Sequence, residues 1–275
     1  MPPCWTVPGK RERPRMILLV GCGKMGGAMF AGWRAAGRPV AVVEPNPANH
    51  PQGAAIAVAD ASALPADLAP EAVVLAVKPQ EAAKTLPAYA RFAGGAVFVS
   101  IMAGKSVANM RALLGQDAHV VRAMPNTPAA IGRGITVCCP GPGVSAAQRA
   151  LADSLLKTVG QVAWVEDESL IDPVTALSGG GPAYVFLLAE VLEQAGIANG
   201  LPPELAAQLA RVTVAGSGAL LDASPEPPAT LRKNVTSPGG TTAEALKVLM
   251  ADAAWPALMT EAIAAATRRS RELAG

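Results

Sequence analysis

Residues Met16–Phe30 read MILLVGCGKMGGAMF. A short apolar run, too brief for a helix, meets three glycines at positions 21, 23 and 26, and a helix-like pattern follows. This is G-x-G-x-x-G set between a strand and a helix. The first glycine permits the tight turn, the second lets a pyrophosphate approach the backbone, and the third lets the helix pack close to the strand. The helix start then offers unpaired N–H groups and a partial positive charge to the phosphates. Three glycines alone would equally suit any tight strand-to-helix turn. With these flanks they point to a dinucleotide, with Gly21, Gly23, Lys24, Met25 and Gly26 as its contacts.

Outward from that turn, the first half of the chain repeats the same grammar. VAVVE, AVVLAV, AVFVSIM, HVVRAM, ITVCC and QVAWVE are further strand candidates, several of them unbroken apolar runs. Such runs suit strands buried on both faces of a parallel sheet. Helix-like stretches such as KMGGAMFAGWRAAG and PQEAAKTLPAYA lie between them. Alternating strands and helices imply right-handed βαβ units and a Rossmann-type doubly wound α/β sheet. After Asp167 the strand signal disappears. PAYVFLLAEVLEQAGIANG, PELAAQLARVTVAGSGALLD, the segment after Thr241, and WPALMTEAIAAATRRSREL all carry helical patterns. The expected organisation is a nucleotide-binding domain over 16–167 and an all-helical, substrate-binding and dimerisation domain over 168–275. Residues 1–15, MPPCWTVPGKRERPR, read as a loose extension.

Composition narrows the function classes. The 275 residues are 51% hydrophobic and only 16% charged, so apolar helix faces are expected to be covered by another subunit. A net charge of +2 with no long basic run gives no support to a nucleic-acid partner. No uninterrupted apolar stretch reaches membrane-spanning length and no signal-peptide core is present, so no membrane partner is expected and the cytoplasm is the expected compartment. The four cysteines form no C-x-x-C, and His50 and His119 have no metal-ligand spacing, so no metal site is expected.

In a doubly wound sheet the strand C-termini line the ligand crevice. The second strand ends at Glu44, where an acid bonding the adenosine ribose is expected. A carboxylate there favours a free 2′-hydroxyl, although it would equally serve to cap an exposed strand end. Asn46 can hydrogen-bond a phosphate but adds no charge. Later strand ends bring Ala76, Val77, Lys78 and Pro79, then Ala103 and Gly104, then Asn126, to the same crevice.

The helical half carries two glycine-rich helix entries. SPGGTTAEAL, Ser237 to Leu246, begins a helix with a Pro-Gly-Gly turn, and such a turn frees backbone N–H groups for a small anion. TTAE also fits a capping box, Thr241 with Glu244, which would use some of those groups. LSGGGPAY, Leu177 to Tyr184, reads equally as an active-site floor or as a tightly packed joint. Its tyrosine is more simply a packing residue with one satisfied hydroxyl.

GCGKMG, AVKPQ, SIMAG, RAMPNTPA, LSGGGPAY and VTSPGGTTAEAL, in this order and spacing, resemble the pyrroline-5-carboxylate reductases from about Met16 to Leu273. The last motif is the most diagnostic. The resemblance implies hydride transfer from NADPH or NADH to the imine carbon of 1-pyrroline-5-carboxylate, giving L-proline, the last step of proline biosynthesis. It implies a Rossmann domain, a helical domain that pairs in a homodimer, and further assembly into a decamer of five dimers. By the same resemblance Thr242 is the catalytic threonine that bonds the ring nitrogen, and Ser237, Gly239, Gly240 and Thr241 form the carboxylate-binding turn. Two departures stand out. Glu226, among the prolines of SPEPPATLRKNV, does not match the acid many members carry before this motif. Glu44 stands where small or amide residues often meet an NADPH phosphate.

Two rival functions remain open at this level. A β-hydroxyacid or 6-phosphogluconate-type dehydrogenase shares the plan but relies on a lysine base in the helical domain, for which Lys233 and Lys247 are the candidates. A non-catalytic dinucleotide sensor would not need the threonine turn.

Overall fold

The buried runs of the first half do form strands. The computed structural model describes residues 16–274 in two compact units that divide between Glu168 and Ser169. The expectation for residues 1–15 lies outside the described residues.

In the first unit, β1 (Ile17–Val20), β2 (Val40–Val43), β3 (Ile56–Val58), β4 (Ala72–Leu75), β5 (Val97–Ser100), β6 (His119–Met124), β7 (Gly134–Pro140) and β8 (Gly160–Trp164) make one sheet in the order β3-β2-β1-β4-β5-β6-β7-β8. The first six are parallel, β7 runs antiparallel to β6, and β8 is parallel to β7. Two details correct the sequence reading. Strand β3 was not anticipated, because three residues at an incompletely buried sheet edge carry little pattern. The antiparallel step at β7 makes the doubly wound sheet mostly rather than wholly parallel.

Strands β1, β2, β4 and β5 are buried along their whole length because helices cover both faces. Ile17 and Leu19 face one apolar cluster with Met29, Phe30 and Trp33 of α1 (Lys24–Ala35), while Leu18 and Val20 face the other. The Trp33 Nε1–H donates to the Leu155 carbonyl at 2.8 Å, tying α1 to the far end of the unit without leaving a buried donor unpaired. On the second face lie Val107, Met110 and Leu114 of α3 (Val107–Leu114), with Tyr89 and Phe92. The stretch PQEAAKTLPAYA keeps only one α turn, α2 (Ala82–Thr85), between 3₁₀ segments Pro79–Glu81 and Leu86–Phe92. Pro87 explains this: it has no N–H for an i−4 carbonyl and its ring crowds that carbonyl. Helix α4 (Ala146–Leu156), like α3, opens with a reciprocal serine capping box, through Ser145 and Gln148.

The second unit is helical throughout: α5 (Ile171–Val174), a π turn over Thr175–Gly179, α6 (Gly181–Ala198), α7 (Pro203–Ala223), α8 (Pro228–Asn234), α9 (Thr241–Leu249) and α10 (Trp255–Ala274). Asp172 on α5 accepts from the Ser270 hydroxyl on α10 at 2.7 Å. Helix α6 buries none of its residues, and Phe186 is 67% exposed. The helical run Glu168–Ala198, counted through its turns, is long and apolar enough to cross a membrane by length and composition, which the sequence reading did not anticipate. Asp172, Pro173, Glu190 and Glu193 interrupt its apolar character, a pattern suited to a face covered by protein.

Candidate active site

The parallel register brings the predicted cofactor residues of the first unit to one edge of the sheet. Val20 pairs with Val43 on one side and Leu75 on the other, and Leu75 pairs with Ser100. Gly21, Glu44 and Ala76 therefore follow adjacent strand ends, with Ala103 and Gly104 in the loop beyond β5 and Asn126 two residues beyond β6.

At the glycine turn each glycine has its own reason. Gly21 has φ +89°, and a Cβ there would stand 2.7 Å from the Ala76 carbonyl oxygen. A Cβ on Gly26 would stand 2.3 Å from the Gly21 oxygen, so the helix can pack this closely only on a glycine. Gly23 differs: nothing lies within 4 Å of where its Cβ would be. It is the N-cap of α1 and supplies no side-chain capping bond, so no side chain at the cap occupies the first-turn N–H groups of Lys24, Met25 and Gly26. The residues present fit a pyrophosphate.

Glu44 is not a cap on an exposed strand end. It is buried, with Oε2 accepting from the Cys22 N–H at 2.7 Å and Oε1 from the Asn46 N–H at 3.0 Å. The Asn46 side chain in turn accepts from the Ala48 N–H, starting a short 3₁₀ turn, so its oxygen is already engaged. The sequence reading missed Cys22, whose main chain links the acid to the glycine turn; its place inside G-x-G was the available signal. Burial first, and Glu44 second, raise the Cys22 thiol above its ordinary pKa.

At the other strand ends, exposed Lys78 precedes the 3₁₀ turn that Pro79 opens, and Ala76 and Val77 are half-buried beside Gly21. Ala103 is exposed beside buried Gly104, whose φ is +66°. The Asn126 side-chain oxygen accepts from the Ile135 N–H at 2.9 Å, which orients its amide and starts β7. A recess of about 640 Å³ in this unit, lined by Val107, Cys139, Gly141, Ser145, Arg149 and Glu166, lies elsewhere. Gly141 donates to Val120 near the start of β6, at the sheet edge opposite the glycine turn.

In the second unit, Ser237–Gly240 closes a turn through Gly240 N–H to Ser237 O at 3.0 Å, with Pro238 second and Gly239 third at φ +69°. That is the type II pattern, in which the third residue favours glycine. Gly240 is the N-cap of α9 and, having no side chain, makes no capping bond. The capping box offered by TTAE does not form. Thr241 is the first helical residue, and the Glu244 carboxylate pairs instead with Lys247 at 2.6 Å on the surface. Exposed Thr241 and Thr242 thus begin a helix whose first N–H groups are open to an anion. Lys247 is engaged with Glu244, and Lys233 lies in the last turn of α8. Tyr184 donates its hydroxyl to the Ala176 carbonyl at 2.9 Å, pinning the π turn ahead of Gly180 and Gly181.

Residues 168–273 match the family model described as pyrroline-5-carboxylate reductase dimerisation, and residues 16–104 match one described as NADP oxidoreductase, coenzyme F420-dependent. The pyrroline-5-carboxylate reductase of Pseudomonas aeruginosa is 40% identical over 264 residues, spanning 94% of this chain and 96% of that one. Among solved structures, the Coxiella burnetii pyrroline-5-carboxylate reductase superposes with a TM-score of 0.87 at 31% identity, over 96% of this chain and all of its own. The Plasmodium falciparum enzyme with NADP bound gives 0.78 at 28% identity, over 94% of this chain and 100% of its own. With a glycine turn at one sheet edge, an open threonine turn on the helical unit and relatives at this identity across nearly the whole chain, this protein belongs to the pyrroline-5-carboxylate reductase family.

Proposed function

We infer that this chain reduces the imine of 1-pyrroline-5-carboxylate to L-proline with NADPH or NADH, closing proline biosynthesis. The observation that carries the reading is the uncapped start of α9: a Gly240 N-cap, Glu244 turned away to Lys247, and threonines at the first two helical positions. An anion at a helix start meets free N–H groups and the positive end of the helix dipole. A substrate carboxylate is the anion such a small turn suits, with Ser237, Gly239, Gly240 and Thr241 around it.

The reduced nicotinamide supplies the hydride when bound. The chain's part is alignment. Gly21–Gly26 hold the pyrophosphate, and Ala76–Pro79, Ala103, Gly104 and Asn126 line the same sheet edge for the remainder of the dinucleotide. Thr242 orients the ring nitrogen; an alkyl hydroxyl holds its proton too tightly to act as a strong acid. The nitrogen gains its proton before or as the C=N bond becomes CH–NH, and an imine already protonated in solution needs no enzymic acid. We assign cofactor binding to 16–167 and substrate binding and pairing to 168–275. The open apolar faces of the helical unit support a homodimer, which we place in the cytoplasm and extend to a decamer of five dimers.

The test is oxidation of NADPH and NADH, followed by absorbance, with pyrroline-5-carboxylate as substrate. Thr242→Ala is expected to lower kcat about a hundredfold, as loss of an oriented donor does, while cofactor affinity is kept. Dinucleotide binding without turnover of this substrate would sink the assignment.

A further inference from the structure

The Glu44 carboxylate is held more firmly than an acid that merely faces a ribose requires. It is 9% exposed, and both its oxygens accept backbone N–H groups, from Cys22 and Asn46. The main chain of the same residue is fixed as well: its N–H donates to the Val58 carbonyl at 2.9 Å, and its carbonyl accepts from His50 Nε2 at 2.7 Å. Two hydrogen bonds hold the side chain and two hold the main chain that carries it. Moving the side chain would strip the Cys22 and Asn46 N–H groups of their acceptor, the first of them buried, which is costly in itself.

The bond to Cys22 places this fixed negative charge beside the turn that the pyrophosphate approaches. A ribose 2′-phosphate bound there would need donors and positive charge. The nearby main-chain donors, the N–H groups of Cys22 and Asn46, are taken by the carboxylate. Apart from Lys24, exposed at the start of α1, positive charge is sparse: the segment 45–54 contains no lysine or arginine, and the ring of His50 is turned to the Glu44 carbonyl. Arg34 packs against Gly53, but it stands in the last turn of α1, roughly 16 Å along the helix axis from the glycine turn. A free 2′-hydroxyl faces no such difficulty. An ionised carboxylate has about four lone-pair sites, and two remain to accept a ribose proton.

We propose that Glu44 is an internal occupant of the subsite a 2′-phosphate would need, and that the chain therefore binds NAD(H) in preference to NADP(H). This rests on the dinucleotide reading of the glycine turn and deepens it. The preference belongs to this chain's residues; the relative that holds NADP is 28% identical to it.

Isothermal titration of the purified full chain with NAD⁺ and with NADP⁺ tests the proposal without requiring turnover. The wild type is expected to bind NAD⁺ about 100-fold more tightly, the scale set by apposing a fixed carboxylate and a phosphate. Glu44→Ser removes the charge and releases both N–H groups, so the ratio should fall to within about tenfold or reverse. Glu44→Gln keeps the shape, loses the charge and should move the ratio in the same direction, with circular dichroism verifying the fold of each variant. Equal affinities in the wild type, or tighter NADP⁺, overturn the proposal while leaving the reductase reading intact. A wild-type preference unchanged by Glu44→Ser in a folded variant overturns the role of Glu44. Should both variants fail to fold, the wild-type ratio still decides the cofactor preference. Binding of neither dinucleotide removes the reading on which the proposal stands, and the proposal with it.

Discussion

Replacing Gly26 by alanine should damage both stability and cofactor binding, whereas replacing Gly23 should damage binding alone. A Cβ on Gly26 would stand 2.3 Å from the Gly21 oxygen and 3.4 Å from the Ala76 Cβ. Restoring ordinary contact requires a shift of roughly 1 Å, and both obstacles directly follow buried strands of the sheet, so α1 itself must move. Overpacking of this kind costs about 1–3 kcal/mol, offset by up to ~1 kcal/mol because alanine has less unfolded-state freedom to lose. A net loss of about 1–2 kcal/mol follows, visible as a lower urea midpoint with unchanged slope. Displacing the start of α1 by the same ~1 Å should also weaken NAD⁺ binding substantially, given how sharply oriented contacts respond to such a shift. Gly23→Ala meets no atom within 4 Å, and its φ of −71° suits an L-residue, so stability should change by no more than about 1 kcal/mol. Its new methyl nonetheless fills the space the pyrophosphate enters, and NAD⁺ binding should weaken at least ~10-fold. Titration calorimetry and urea melts on both variants separate the two effects. A Gly23→Ala variant that binds NAD⁺ like the wild type would refute the placement of the pyrophosphate, and a fully stable Gly26→Ala would refute the packing argument.

Three other outcomes are expected. Gly239→Ala, forced to hold φ +69°, should lose about 1–2 kcal/mol and raise the KM for pyrroline-5-carboxylate more than it lowers kcat; an unchanged KM would detach the turn from the substrate. Tyr184→Phe removes a hydroxyl that donates to Ala176, so it should cost about 1 kcal/mol in a urea melt and leave the pH profile of kcat in place. Loss of one limb of that profile would instead make Tyr184 a proton donor. The Cys138 thiol is pushed up to about 12, by burial first and Asp153 next, from an ordinary 9.0. Above about pH 9 the unfolded chain releases this proton and the folded chain keeps it, so this thiol's share of stability should fall by about 1.4 kcal/mol per pH unit until roughly pH 12. Urea midpoints between about pH 8 and pH 10.5 read this slope, and a Cys138→Ala slope equal to the wild type's would refute it.

What sequence determined here was whatever depends on near neighbours. Strand, three glycines and helix lie within fifteen residues of Met16, so the strand-to-helix glycine turn was legible, as were the helical second half and the low charge of its open faces. Pro-Gly-Gly before two threonines announced an unusual helix start for the same reason. Tertiary structure decided what hinges on distant partners. An apolar run such as ITVCC fits a parallel or an antiparallel neighbour alike, and only pairing with β6 set the direction of β7. TTAE fits a capping box by spacing, yet the turn at Gly239 moved the N-cap to Gly240 and left Glu244 to Lys247. Glu44 carried its charge in the sequence, but its burial and fixity come from Cys22, twenty-two residues earlier in the chain. Periodicity and turn chemistry are local and travel with the chain; direction, burial and the occupancy of a hydrogen-bond donor are set only when remote segments meet.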